Sequence, residues 1–224
     1  DEHRVGPQRL VGSGAAAPAQ VKRAAFGCFG IAMVLGSGLV VLSGQWWWLA
    51  IGVACVLAAW YYTGGRNPYG YRGLGEVFVF IFFGLAATCG TTWTQLGELP
   101  AITWATATAM GLMACQVLVC NNLRDIPTDT KAGKCTLETM LGDGNSRLLY
   151  LVLGIVAVMC LVAHAVVMGW WTLLGLGALV FLVPAIRNVL SGAMGMALVR
   201  TLKLTGFAEL AAGIGLYAGA LIGA

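Results

Sequence analysis

Seven runs of apolar residues, each close in length to a membrane-spanning helix, constrain the fold of this chain more than any other feature. A helix of about 20 apolar residues crosses the hydrocarbon of a bilayer. The strict alternation of apolar and polar residues that a membrane β-barrel requires is absent from the sequence. The runs cover about residues 24–43, 46–62, 77–94, 101–122, 148–168, 172–190 and 204–223. We therefore expect an all-α, polytopic transmembrane helical bundle with seven spanning helices, forming one domain over residues 1–224.

The composition excludes an ordinary soluble domain, because 59% of the residues are hydrophobic and only 10% are charged. A typical soluble domain carries about 25% charged residues. The seven cysteines form no Cys-x-x-Cys pair, so we expect them to pack as small apolar side chains rather than to bind metal. The expected partner is the lipid bilayer, and we expect no nucleic acid.

The positive charges are concentrated in alternate connections between the apolar runs. All thirteen Lys and Arg residues fall in the four long connections, which cover residues 1–23, 63–76, 123–147 and 187–203. The short connections carry a single charged residue, Glu98. Because cytoplasmic loops of membrane proteins are enriched in Lys and Arg, the long connections should face the cytoplasm. The prediction is a multi-pass protein of the cell membrane with its polar segments on the cytoplasmic side.

The densest polar segment is Asn121–Leu137, which follows the fourth apolar run. Asp125 and Asp129 lie four residues apart and would share one face if the helix continued through them. Pro127 disfavours helical geometry at the preceding residue, so a second short helix near Asp129 is the alternative. Carboxylate oxygens are the ligands that Mg²⁺ prefers. The two aspartates are therefore candidate metal ligands and candidate catalytic residues.

The same segment also holds positive charge and side-chain amides. Arg124, Lys131 and Lys134 can form charge-assisted hydrogen bonds with the oxygens of a diphosphate. Asn121 and Asn122 add polar amides at the mouth of the apolar run. The pattern indicates a Mg²⁺–diphosphate site at the membrane surface. The alternative is an ordinary cytoplasmic loop with solvated charges.

A second polar segment, Tyr62–Glu76, contains five glycines and two arginines, Arg66 and Arg72. Glycines let the backbone approach a ligand closely, and the guanidinium group binds phosphate oxygens in pairs. The segment is therefore a candidate diphosphate-binding loop. The alternative is a flexible loop whose arginines only set the membrane topology.

Three motifs, in order along the chain, resemble those of the UbiA-type intramembrane prenyltransferases. They are Arg-Val-Gly-Pro-x-Arg-Leu-Val from Arg4, Tyr-Arg-Gly-Leu-Gly-Glu from Tyr71, and Asn-Asn-Leu-Arg-Asp-Ile-x-Thr-Asp-x-x-x-Gly-Lys-x-Thr-Leu from Asn121. Within that superfamily the chain is most similar to the bacterial branch that prenylates 1,4-dihydroxy-2-naphthoate in menaquinone biosynthesis.

The resemblance implies nine spans around a central cavity, with two Asp-rich motifs on the cytoplasmic side. Asp125 and Asp129 match the second motif. Tyr62-x-x-x-Arg66 matches a diphosphate-binding Tyr-x-x-x-Lys element of the family, with Arg in place of Lys. The first Asp-rich motif is expected upstream of Asp1, so we expect the chain to lack the two N-terminal helices of the family.

The implied reaction is Mg²⁺-dependent transfer of a polyprenyl group from polyprenyl diphosphate to 1,4-dihydroxy-2-naphthoate. Diphosphate and CO₂ leave, and demethylmenaquinone forms. The resemblance assigns catalysis to Asp125, Asp129 and Arg66, with Mg²⁺ on the two aspartates. The residues expected to bind substrate are Asn121, Asn122, Arg124, Lys131, Lys134, Tyr62, Arg72, Arg4 and Arg9.

Two alternatives remain open on the sequence. The first is a prenyltransferase of the same superfamily with another acceptor, such as hydroxybenzoate, homogentisate, a porphyrin or a phosphosugar. The second is a transporter of anionic lipids or metabolites. A transporter should show internal repeats and broken helices in both halves, and the sequence shows neither.

The last apolar run contains two further features. Glu209 is an acid inside a spanning segment, which makes it a functional candidate, although it could instead pair with Lys203 or Arg200. Glycines recur at every fourth residue from Gly215 to Gly223. Such a stripe predicts close helix packing within one bundle in preference to dimer formation.

Overall fold

The computed structural model describes residues 9–223, and nearly all of them are helical. The chain divides into two compact units, one ending at Pro68 and the other starting at Tyr69. Within residues 9–223 the only β pairing is an isolated bridge between Arg72 and Cys135. The predicted all-α class is therefore confirmed.

The first unit contains the helices α1 (Pro18–Ser43) and α2 (Trp48–Thr63). Gly44 ends α1 with a φ of 69°, a left-handed conformation that glycine adopts without strain. The ammonium nitrogen of Lys22 on α1 lies 5.7 Å from the centre of the Trp60 ring on α2. This cation–π contact joins the two helices within the unit.

The second unit begins with a 3-10 turn, Tyr69–Tyr71, and contains the other six helices. A π-helical segment, Phe80–Ala86, joins α3 to α4 in one span, and a 3-10 segment, Trp170–Ala178, precedes α7. The helices are α3 (Gly75–Val79), α4 (Ala87–Leu96), α5 (Ala101–Lys131), α6 (Leu137–Met168), α7 (Leu179–Leu190) and α8 (Met196–Gly223).

Six helical segments within residues 9–223 are long and apolar enough to cross a membrane. The helix α2, which is the second of the seven predicted spans, is apolar but has only 16 residues. It begins at the last of three consecutive tryptophans, Trp48, and ends before Gly64. The multi-pass membrane architecture is confirmed, with one predicted span shorter than the usual length of about 20 residues.

The helix α5 lies at the centre of the second unit. Half of the residues in the most apolar 18-residue stretch of α5 are buried, whereas 28% of the residues in the corresponding stretch of α8 are buried. With 31 residues it is about 46 Å long, at about 1.5 Å per residue. The hydrocarbon core is only about 30 Å thick. The C-terminal end of α5 therefore extends beyond the apolar layer and can present polar side chains there.

Of the two arrangements that the sequence left open for the polar segment after the fourth apolar run, the structure has the continuous helix. The helix α5 continues through Pro127 to Lys131, so no second short helix opens near Asp129. Leu123 and Asp129 are buried on either side of the proline. We attribute the continuous helix to this burial, which outweighs the backbone hydrogen bond that proline cannot donate.

The 3-10 segment before α7 packs closely against α8. A Cβ atom placed on Gly215 would collide with the carbonyl of Leu174, and one on Gly219 would collide with the carbonyl of Trp171. The backbones approach this closely only because both positions are glycine. The glycine stripe therefore packs helices within the bundle, as predicted.

A second close contact between helices, at Gly84 and Gly111, helps to position the candidate site. Gly84 in the π-helical segment lies against Gly111 of α5, where a Cβ on Gly84 would meet the Ala107 carbonyl oxygen at 2.9 Å. Farther along the same contact, the thiol of Cys115 donates to the backbone oxygen of Glu76 over 3.2 Å. The span that contains α3 and α4 thus lies along α5 and brings the loop before α3 towards the end of α5.

Candidate active site

Asp125 and Asp129 lie on consecutive turns of α5, and each carboxylate is already paired with a cation. Arg124 donates to both oxygens of Asp125, from Nε to Oδ1 over 2.7 Å and from Nη2 to Oδ2 over 2.7 Å. Lys134 Nζ lies 2.9 Å from Oδ1 of Asp129. The structure therefore brings four of the predicted site residues together, and the cations contact the carboxylates directly.

The two asparagines of the motif have different partners. Asn121 accepts a hydrogen bond from Nη2 of Arg124 through its side-chain oxygen, over 2.9 Å. Only 3% of the Arg124 side chain is exposed, so Asn121 and Asp125 together hold a buried guanidinium group. Asn122 instead donates from Nδ2 to Oε1 of Glu76 over 3.2 Å, which ties α5 to the start of α3.

The turn between α5 and α6 explains why the motif ends in Gly-Lys-x-Thr-Leu. Gly133 has a φ of 68°, which lets the chain reverse, and the Lys134 N–H then donates to the Asp129 carbonyl over 2.9 Å. Thr136 caps α6 by accepting a hydrogen bond from the Thr139 N–H over 3.3 Å. The glycine and the threonine therefore fix the turn that places Lys134 on Asp129.

The loop before α3 lies beside this turn. The backbones of Arg72 and Cys135 pair in an isolated parallel bridge. The ring centre of Tyr71 lies 5.2 Å from Nζ of Lys134, within the range of a cation–π contact. The side chain of Arg72 is exposed. The structure thus brings the predicted substrate residue Arg72 next to the Asp125–Lys134 cluster.

The other predicted substrate residues are distributed as follows. Lys131 is exposed at the last residue of α5. Tyr62 lies near the end of α2 and Arg66 is exposed in the loop that follows, so the Tyr-x-x-x-Arg element spans a helix end in the first unit. Arg9 is exposed in the same unit, and Arg4 lies outside the described residues.

Oxygen ligands for a metal ion can come from Asp125 and Asp129. In the part of the chain that the structure describes, no group of three or more His, Cys, Asp or Glu side chains is arranged around a common metal position. Mg²⁺ usually takes one or two protein carboxylates and completes its coordination with water and substrate phosphate. A carboxylate that accepts one hydrogen bond per oxygen keeps further acceptor capacity. The donor set therefore fits Mg²⁺ shared with a phosphate substrate.

Three buried charged residues near the site were not among the predicted site residues. Glu76 and Glu138 flank Asn122, and Arg147 on α6 donates to Asp143 over 2.6 Å and 2.8 Å. Arg147 also donates to the carbonyl of Val189, near the end of α7, and to that of Ala193, just after the helix, over 3.0 Å. In the sequence, Glu76 and Arg147 each stand immediately before an apolar run. A charged residue at such a position is a candidate for burial, and this signal could have identified both.

Glu209 lies half-buried on α8, on a concave strip of the helix surface that also includes Tyr217. Within residues 9–223, no salt bridge joins it to Lys203 or Arg200. The suggested interfacial ion pair is therefore not formed, and Glu209 remains an acid within a spanning helix.

Comparison with known proteins identifies prenyltransferases in each case. The profile of the UbiA prenyltransferase family matches residues 1–195 of the chain. A 1,4-dihydroxy-2-naphthoate octaprenyltransferase of Mycobacterium tuberculosis is 43% identical over 211 residues, which are 94% of this chain and 71% of that protein. A protein of the same name from Mycobacterium leprae is also 43% identical, over 93% of this chain and 70% of its own length. Another from Escherichia coli K12 is 36% identical over 70% of this chain and 53% of its own length.

No solved structure matches the chain. The family match covers both polar segments of the candidate site, and the similar proteins are named as transferases, so the transporter alternative is wrong. The spanning helices, the ion-paired aspartate motif and these similarities lead to one identification: the chain belongs to the UbiA prenyltransferase family and is a membrane-embedded prenyltransferase enzyme.

Proposed function

We propose that the chain catalyses Mg²⁺-dependent transfer of a polyprenyl group from polyprenyl diphosphate to 1,4-dihydroxy-2-naphthoate, forming the dihydroxy (quinol) form of demethylmenaquinone. The observation that carries the proposal is the charged cluster at the end of α5, where Asp125 and Asp129 meet Arg124 and Lys134 at the mouth of an apolar bundle. The names of the mycobacterial and Escherichia coli relatives support a naphthoate as the acceptor.

In this proposal the two chemically different parts of the prenyl substrate bind in different surroundings. The diphosphate lies at the end of α5, close to the exposed cations Arg72 and Lys131, which can contact its oxygens. The resemblance of Tyr62-x-x-x-Arg66 to a diphosphate-binding element of the family is the support for including Arg66 and Tyr62 among the proposed diphosphate-binding residues. The prenyl tail lies along the apolar helices, which exclude water from the reacting carbon.

The proposed reaction exchanges one C–O bond and one C–C bond for a new C–C bond. The bond between the allylic carbon and diphosphate oxygen breaks, and diphosphate leaves with the electron pair. The electron-rich ring carbon that carries the carboxylate attacks the allylic carbon. The bond from this ring carbon to the carboxylate then breaks, its electron pair returns to the ring, and CO₂ leaves.

The residues of the motif stabilise charge during this sequence. Mg²⁺ held by Asp125 and Asp129 would neutralise part of the negative charge that develops on the leaving diphosphate. Arg124 and Lys134 hold the two carboxylates in place through the ion pairs described above. Because these groups are fixed before the bond breaks, they stabilise the transition state without reorganisation.

We also propose that this site faces the cytoplasm from within the cell membrane. The support is the position of the Lys and Arg residues, all of which fall in the long polar connections. A cytoplasmic site would have direct access to the naphthoate acceptor and to Mg²⁺.

The experiment that tests the function is a transfer assay with the purified protein in lipid vesicles, with Mg²⁺, radiolabelled polyprenyl diphosphate and a panel of acceptors. We expect a labelled prenyl-naphthol product only with 1,4-dihydroxy-2-naphthoate, and release of labelled CO₂ when the acceptor carries its label in the carboxylate. A labelled product with hydroxybenzoate, homogentisate, a porphyrin or a phosphosugar instead would contradict the proposed acceptor. Product without labelled CO₂ would contradict the decarboxylating step.

A further inference from the structure

Two buried carboxyl groups lie near each other close to Asn122, one turn before Asp125 on α5. Glu76, at the start of α3, is 9% exposed, and Glu138, in the first turn of α6, is 0% exposed. The two side chains interact electrostatically, and the Asn122 amide donates to Oε1 of Glu76 over 3.2 Å. Neither carboxyl forms a salt bridge within residues 9–223.

The carboxyl oxygens of Glu138 lack a hydrogen-bond donor. Both of them are buried, and neither receives a hydrogen bond from a described residue. Two negative charges in contact away from water would repel each other strongly, so a pair of this kind holds one proton between its members. A proton on Glu138 would let its hydroxyl donate to Glu76, which accepts a hydrogen bond from Nδ2 of Asn122.

The pair connects two segments that form the candidate site. Asn122 precedes Asp125 by one turn on α5, and Glu76 immediately follows the loop that contains Arg72. The hydrogen bond between Asn122 and Glu76 therefore links this loop to the motif. The backbone bridge from Arg72 to Cys135 and the cation–π contact of Lys134 with Tyr71 link the same two segments.

We propose that Glu76 and Glu138 are positioning residues, which share one proton, hold Asn122 and thereby fix the Arg72 loop against the diphosphate end of α5. The proposal rests on the proposed function, because it assigns the prenyl diphosphate to this end of the helix. Neither glutamate contacts the substrate; each acts through Asn122 and through the loop.

The kinetic test compares substitutions of Glu138 that keep or remove its ability to donate. Glu138→Gln retains a donor, because the amide N–H₂ can bond to the Glu76 carboxylate, so its kinetic constants should stay within about twofold of wild type. Glu138→Ala and the volume-preserving Glu138→Met remove the donor. Both should raise the KM for prenyl diphosphate about tenfold, the scale of one hydrogen bond to a charged group. The KM for the naphthoate acceptor should be unchanged.

Matched controls separate this role from a general loss of folding. Glu98→Gln alters an exposed glutamate in a different connection and should change neither KM. Glu138→Met fills the site with an apolar side chain of similar size, so it should fold even if Glu138→Ala does not. A KM for prenyl diphosphate that is unchanged or lower in Glu138→Met would overturn the proposal, as would an equal rise in both KM values.

An infrared measurement tests the shared proton independently of activity. The wild-type protein should show the C=O stretching band of a protonated carboxylic acid that Glu138→Gln lacks and Glu98→Gln retains. Persistence of the full band in Glu138→Gln would overturn the shared proton. If the wild-type chain transfers no prenyl group to any acceptor, the proposed function fails and the positioning role fails with it. An active wild type with unaffected Glu138 variants contradicts the positioning role alone.

Discussion

At the scale of single residues, the second aspartate motif carries its own counter-ions. The guanidinium group of Arg124 is almost completely buried and donates to Asn121 and to both oxygens of Asp125. Lysine could not reproduce this arrangement, because an ammonium group cannot form the two parallel hydrogen bonds of a guanidinium. The order of residues in the motif therefore specifies a bonded network as well as a set of charges.

The first prediction concerns the charge of Asp125. Asp125→Asn keeps the size of the side chain and removes its charge, so we expect kcat to fall by at least about a hundredfold, the scale of one preorganised electrostatic contact. The measurement is steady-state transfer at saturating substrates and Mg²⁺. Asp143→Asn is the matched control, since Asp143 is also paired with an arginine, Arg147, but lies outside the motif. Near-normal turnover of Asp125→Asn at low Mg²⁺ would contradict the metal assignment.

The second prediction concerns Arg66, which we assign to the diphosphate. Arg66→Ala removes a forked donor, so the KM for prenyl diphosphate should rise about tenfold or more, while the KM for the acceptor should stay within about twofold. Initial rates at varied concentrations of each substrate measure the two constants separately. Arg187→Ala, another exposed arginine, is the control. Equal rises in both constants for Arg66→Ala would refute the assignment.

At the scale of helices, close packing depends on a few glycines that no other residue can replace. The α8 stripe allows the backbone of the preceding 3-10 segment to lie against Gly215 and Gly219. Gly213 lies on the same helix but has open space where its Cβ would be. The two kinds of glycine look the same in the sequence and differ only in what they face.

The third prediction uses that difference. Gly219→Ala should lower the free energy of unfolding by about 1–3 kcal/mol, because the added Cβ forces the helices apart. Gly213→Ala meets no atom, so its effect should be neutral or slightly stabilising, since alanine favours the helix. Thermal unfolding of the two variants in the same detergent measures this comparison. Equal destabilisation by both would show that the packing contact does not determine the result.

At the scale of the whole molecule, the positive charges predict the orientation in the membrane. The end of α5 and the loops that carry arginine and lysine should lie in the cytoplasm, and the connection that contains Glu98 should lie outside. Cys135 in the turn after α5 is an exposed native thiol and can serve as an inside probe.

The fourth prediction tests that orientation by thiol labelling of intact cells. In a chain with Cys28→Ser, a membrane-impermeant maleimide should label Glu98→Cys and leave Cys135 unlabelled. A permeant maleimide should label both, which controls for accessibility of the thiols. Labelling of Cys135 but not of Glu98→Cys from outside would contradict the predicted topology.

The amino-acid sequence alone determined the fold class, the positions of the helices and the location of the charged cluster. These features are local: the length of an apolar run determines whether it can cross the bilayer, and a motif such as Asn121–Leu137 is contiguous. The sequence also placed Asp125 and Asp129 in the same segment as Arg124 and Lys134, and in the structure these residues form two ion pairs.

Only the tertiary structure decided how that segment is held. It kept α5 helical through Pro127, against the local preference, because the residues around the proline are buried in the bundle. It also brought Glu76 close to Glu138, 62 positions farther along the chain, and joined Glu76 to Asn122 by a hydrogen bond. Whether a charged side chain is buried depends on which helices pack over it and exclude water. That is a property of packing between distant helices, so the order of residues alone could not reveal it.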